Sequence, residues 1–111
     1  MRGTRLVYRP RKSEPEITEF AAEPMLAHVE ATVGGRLEQV AGFSSIDYDG
    51  VVRRCVALCA KDGKQLDLPL NVAATILWDD ALRRDIGVGL IRPDGTRADY
   101  LVGSIAIFLT E

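Results

Sequence analysis

Four turn signals constrain this chain more than any other feature: Gly34-Gly35, Asp49-Gly50, Asp62-Gly63 and Pro93-Asp94-Gly95. Glycine tolerates positive φ and proline fixes φ, so each step reverses the chain or ends an element. The segments between them are short, and wholly apolar runs such as Val56-Ala57-Leu58-Cys59-Ala60 last only a few residues. A bilayer-spanning helix needs about 20. The basic start, Met1-Arg2-Gly3-Thr4-Arg5, is not followed by the apolar run of about 7–15 residues that a secretory signal requires. The expected setting is therefore cytoplasmic, without a membrane partner. With 111 residues, 47% of them hydrophobic, one domain spanning residues 1–111 can bury an ordinary core without staples.

Between the turns the apolar residues switch period. Leu6-Val7-Tyr8 reads as a strand, residues 9–15 as a turn, and Ile17, Glu19 and Phe20 as a second strand. Bases occupy the first half of this hairpin and glutamates the second, so the charges are expected to pair across strands or face water. Disorder is expected only in the first few residues. Leu26, Val29 and Val33 recur at helical spacing behind Glu23-Pro24, which suit a first turn, and Gly34-Gly35 stops that helix.

Residues 37–43 then read as a strand, Asp47-Tyr48-Asp49-Gly50 as a turn, and residues 51–60 as the longest β segment. The Asp62-Gly63 turn returns the chain into a strand at 65–68. Asn71 is the N-cap of a second helix carrying Val72, Ala73, Ile76, Leu77 and Ala81 up to Arg83-Arg84-Asp85. Residues 87–91 and 96–101 flank the Pro93 turn, and residues 104–110 form a final apolar strand. The sum is an α+β domain: two helices packed on a mixed, mostly antiparallel sheet of about six to eight short strands, with partial barrel closure left open.

Few residues nominate themselves for chemistry. His28 is the sole histidine, so any Ser-His-Asp or Cys-His assembly must form around it, yet no nucleophile motif accompanies it. Cys55 and Cys59 lie four apart on a strand reading, which separates their Cα atoms by about 13 Å, too far for a disulfide. Two reduced core thiols are expected. With His28 they offer at most three zinc ligands, and Asp47 and Asp49 open a calcium-loop pattern that nothing completes. No metal or cofactor is expected. Arg53-Arg54 interrupts an apolar strand, where alternation lets at most one point inward. Helical spacing pairs Asp79 with Arg83 and Asp80 with Arg84. Ile76, Leu77 and Trp78 cannot share one helix face, which makes Trp78 a candidate partner contact beside its core role.

The motifs Val33-Gly34-Gly35, residues 37–40, Asp49-Gly50, residues 51–60, Leu68-Pro69-Leu70-Asn71 and Leu101-Val102-Gly103-Ser104, leading into 105–109, cover most of the chain. In order and spacing they resemble the small phage and bacterial proteins catalogued as domain of unknown function 3846. Residues 79–100 depart from the shorter family pattern by a longer helix and a hairpin. The resemblance implies provenance in a phage or mobile element; it carries no activity or catalytic residue.

Fourteen Lys+Arg against sixteen Asp+Glu give a net charge of −2, too balanced to announce a polyanion-binding domain. The leading expectation is a small non-enzymatic binding protein acting on a host protein or defence component. The alternative is a protein that sequesters a nucleotide or small signalling molecule, with Arg53, Arg54, Arg83, Arg84 or the N-terminal arginines as anion contacts. Nucleic-acid binding through Arg2, Arg5, Arg9, Arg11 and Lys12 ranks third. Catalysis ranks last, for want of a reacting set. A homodimer would cover edge strands and Trp78.

Overall fold

A computed structural model describes residues 2–110. Its elements run β1 (Gly3–Tyr8), β2 (Glu16–Phe20), α1 (Leu26–Val33), β3 (Leu37–Gln39), β4 (Ser45–Tyr48), β5 (Val51–Arg54), β6 (Val56–Ala60), α2 (Val72–Ile86) and β7 (Ile105–Thr110). Five strands form one sheet in the order β2-β1-β7-β6-β3, and β4 and β5 form a separate ribbon. Every strand pairing is antiparallel. The fold is α+β with an open sheet, because β2 and β3 end it without meeting.

Alternation along β7 assigns the two faces. Ile105, Ile107 and Leu109 enter the larger core with Leu6, Ala57, Phe43, Ile46 and the α2 residues Ala74, Trp78 and Ala81. Ala106 enters a smaller core with Val29 and Val33 of α1 and Ala60, flanked by Leu58 and Phe108. Successive strand side chains point to opposite faces, so α1 covers one side of the sheet and α2 with the ribbon covers the other. Such three-layer burial makes both cores depend on the same central strands.

The first helix begins later than Glu23-Pro24 would have it. Met25 is its N-cap residue without a side-chain bond, and Gly34 stops it at φ 92°. Asp49 and Gly50 take φ 54° and 81°, giving the positive pair that a tight two-residue hairpin between β4 and β5 requires. Of the first few residues, where disorder is expected, Met1 lies outside the described residues and β1 starts at Gly3.

The long strand expected over 51–60 is two strands in different sheets, broken at buried Cys55, whose N–H donates to Ser44 O at 3.0 Å. A continuous strand would put Arg53 in phase with Cys55 and Ala57, which enter the larger core. Burying an unpaired guanidinium there is costly; with the break Arg54 is exposed and Arg53 is only half-buried, opposite Ile46. Residues 65–68 form turns in place of a strand: Leu66 N–H donates to Asp62 O and Leu68 N–H to Gly63 O, so local bonds satisfy this backbone. The strand expected over 37–43 ends at Gln39, and Phe43 turns into the core. Residues 87–101 form no regular hairpin, only the Ile91–Arg97 bridge around the Pro93 turn.

Asn71 joins three parts of the chain. Its Nδ2 donates to Tyr8 O at 2.8 Å and to Gly103 O at 2.9 Å, while its Oδ1 accepts from Ala74 N–H. Thr75 Oγ1 donates to Asn71 O and accepts from Leu101 N–H. The Leu-Pro-x-Asn and Leu-Val-Gly-Ser motifs, 32 residues apart between Asn71 and Gly103, are thus one structural joint.

Candidate functional site

The β1–β2 loop is fixed by Arg9. Its guanidinium is bidentate on Glu16, at 3.1 and 3.3 Å, and also donates to Ser104 Oγ and Thr32 O. Arg9 lies just past β1, so this is a loop-to-strand pair of base and glutamate, extended to α1 and the entry of β7; within the strands Arg5 stands opposite Thr18 and Glu19 opposite Thr4. The same bonds depress the Glu16 carboxyl below its ordinary value, first through the Arg9 hydrogen bond and then through its charge. Lys12 N–H closes the turn on Arg9 O at 3.2 Å, and Arg11 takes φ 66°, left-handed backbone that is rare outside glycine and asparagine.

This loop and Tyr8 form one wall of a groove of about 470 Å³. The other wall is the first half of α2: Val72 and Ile76 are 47% and 52% exposed, with Ala73 and Leu77 half-buried beside them. Arg11, Lys12 and Ser13 form the polar rim. Burial pushes the Tyr8 phenol up, with help from the negative charge of Glu14 and from Tyr48.

A second cleft, of about 510 Å³, lies between β3 and residues 99–102. Trp78, Val40 and Leu101 form its apolar side and Cys59 part of its lining. Lys64 pairs with Asp99 and lies 4.4 Å from the centre of the Tyr100 ring. Burial raises the Asp99 carboxyl, but the bonds from Lys64 and Tyr100 N–H and the Lys64 charge outweigh it, so its pKa is lowered. The Cys59 thiol is pushed up to about 11, first by burial and then by Glu38.

The four arginines read as anion contacts do not converge. Arg53 is half-buried opposite Ile46, and Arg54 is exposed opposite Ser45. Arg83 turns to Asp79 at 2.9 Å, as helical spacing predicts. Arg84 does not make the Asp80 pair: its Nε and Nη2 donate to Ser45 Oγ, which in turn donates to Asp85 at 2.9 Å. Bonding to the ribbon takes precedence over the intrahelical pair. Arg54 stands opposite Ser45 in the ribbon, and Arg84 bonds to the Ser45 hydroxyl.

Trp78 is a core residue, 8% exposed, and its Nε1 donates to Ala41 O at 2.9 Å. The exposed member of the Ile76-Leu77-Trp78 trio is Ile76. Of the N-terminal bases, Arg9 is bound to Glu16, and Arg5 lies mid-strand with a buried Nε that lacks a hydrogen-bond partner among the described residues. Arg2 is exposed near Glu19, leaving Arg11 and Lys12 at the groove. His28 is exposed on α1, and no group of three or more metal-ligating side chains occurs among the described residues. Both cysteines are free, and Cys55, like Cys59, is raised to about 11 by burial. The turn expected over residues 47–50 is narrower: Asp47 and Tyr48 belong to β4, paired with Val52 and Val51, and only Asp49 and Gly50 make the turn.

Sequence reading missed Tyr8, Val72, Ile76 and Leu77 as a site. The one available signal was the three adjacent apolar residues 76–78, which force an apolar side chain outward. No helix among the described residues is long and apolar enough to cross a membrane. Comparison with family models finds no match, and neither the curated proteins nor the solved structures give one.

Proposed function

We propose that this chain is a small non-enzymatic binding protein of phage or mobile-element origin, acting on a host protein or defence component through the groove beside α2. The provenance rests on the order of motifs that resembles domain of unknown function 3846. The observation that carries the binding reading is the exposed pair Val72 and Ile76, set on a helix whose opposite face is core and bordered by a cationic loop. Contiguous apolar surface with a polar rim is the usual form of a recognition patch. The test is capture from host lysate by immobilised wild-type protein and by Ile76→Asp. One discrete partner held by the wild type and lost by the variant is the expected result; equal capture by both rejects the groove.

A second reading, sequestration of a nucleotide or signalling molecule, is favoured by the cleft beside Tyr100, whose volume of about 510 Å³ suits a small ligand. A ligand that binds only the folded state must raise the melting temperature. A panel of nucleotides at saturating concentration tests it, and the absence of any shift rejects it.

A further inference from the structure

We infer that the groove beside α2 receives an acidic amphipathic helix of another protein; this rests on the groove reading proposed above and adds the chemistry of the occupant. The floor has two short apolar rows, Val72 with Ile76 and Ala73 with Leu77, each four residues apart and therefore adjacent along one face. They end at exposed Asp80. The stripe thus extends for about 7 Å, enough for two large side chains one turn apart on a facing helix.

Backbone accounting selects a helix over an extended segment. The floor is itself helical, so its carbonyls are used within α2, and β1 is already paired on both sides by β2 and β7. Among the described residues no free strand edge lines the groove. An extended occupant would press its own N–H and C=O groups against apolar side chains with no ladder to join, whereas a helix brings those bonds already made.

Charge selects an acidic one. Among the described residues Arg11 and Lys12 take part in no ion pair, although neighbouring Arg9 is bound to Glu16. Glu14 does not line the groove, although its charge reaches Tyr8, and Lys12 acts on Glu16 through its charge but without an ion pair. Arg11 also holds its left-handed φ of 66°, a conformation that glycine adopts more cheaply, in a turn that places two cations beside an apolar stripe. Carboxylates flanking the apolar pair of an incoming helix would meet both.

The test uses a fluorescent helical peptide of about 16 residues with leucines one turn apart flanked by glutamates, and its lysine counterpart, read by anisotropy against the intact protein. The acidic peptide should bind at least about ten-fold more tightly than the basic one, and more weakly as salt rises. Ile76→Asp should abolish this binding. The double variant Arg11→Gly/Lys12→Ser should weaken it several-fold while melting no lower than the wild type, an effect opposite to that of a merely structural role for Arg11.

Equal binding of the two peptides, binding of neither, or unchanged affinity in the double variant overturns the inference. If the peptide fails while the lysate partner is still lost by Ile76→Asp, the groove stands and the acidic helix falls. If sedimentation shows self-association that Ile76→Asp removes, the occupant is a second copy and the inference is likewise overturned.

Discussion

Asn71 shows how far one residue's role exceeds its local signal. As an N-cap it needs only an acceptor, and by that criterion Asp is as good as Asn. Here its amide also donates to Tyr8 O and Gly103 O in a fully buried site. Asn71→Ala should cost about 3–5 kcal/mol, summing the lost cap and two stranded carbonyls. Asn71→Asp should be worse still, since it keeps the cap but sets a carboxylate against two carbonyl oxygens; urea unfolding of both variants checks the order. The cysteines give a second prediction at this scale. Raised to about 11 by burial, both thiols are protonated at neutral pH. At pH 8 their alkylation should therefore be slower than that of the unfolded chain by about 100-fold or more, a rate that mass spectrometry can follow.

Among the elements, those defined by local chemistry were legible and those defined by tertiary competition were not. The Asp49-Gly50 turn, the Asn71 cap and the Gly34 stop each follow from backbone preferences of one or two residues. The break at Cys55 does not, because Val51, Val52, Val56 and Leu58 all favour strand; only the presence of two cores shows that Arg53 must leave the sheet. The 87–101 segment escaped for a similar reason. It is held by Asp79, whose Oδ1 accepts from Leu90 N–H at 2.6 Å, while buried Leu90 enters the α2 core. Burial raises the Asp79 carboxyl, but the bonds from Arg83 and Leu90 and the Arg83 charge more than offset it, leaving its pKa below the usual value. A carboxyl so depressed contributes stability that is fully present above the unfolded pKa of about 3.9 and is lost as pH falls through the folded value. Asp79→Asn should thus cost about 1–2 kcal/mol at pH 7, a fall in Tm of about 4–8 °C per kcal/mol. The gap from wild type should narrow in melts below about pH 4; a gap independent of pH would reject the carboxylate's role.

At the scale of the molecule, the groove was illegible because Tyr8 and Arg11 meet Val72 and Ile76 only through the sheet and the Asn71 joint, and no local pattern encodes that meeting. The same topology makes a prediction about how the molecule opens. β7 is hydrogen-bonded on both sides, to β1 and β6, and its side chains enter both cores. Leu6 pairs with Ile107, so its amide and those of residues 105–109 can exchange only when the long loop between these strands opens and both layers are exposed. The β4–β5 ribbon is tied through β4 alone, where Ile46 is buried in the larger core and Ser45 bonds to α2; Val51 and Val52 of β5 are exposed, and β5 pairs only with β4. Native-state hydrogen exchange should therefore find the central strands exchanging at the global unfolding free energy, with ribbon amides at least about 100-fold faster. Equal protection in the two sheets would mean that the ribbon opens only with the whole molecule. Such a result would make Ser45, bonded to Arg84 and Asp85 of α2, a stronger tie than β5's exposed edge allows.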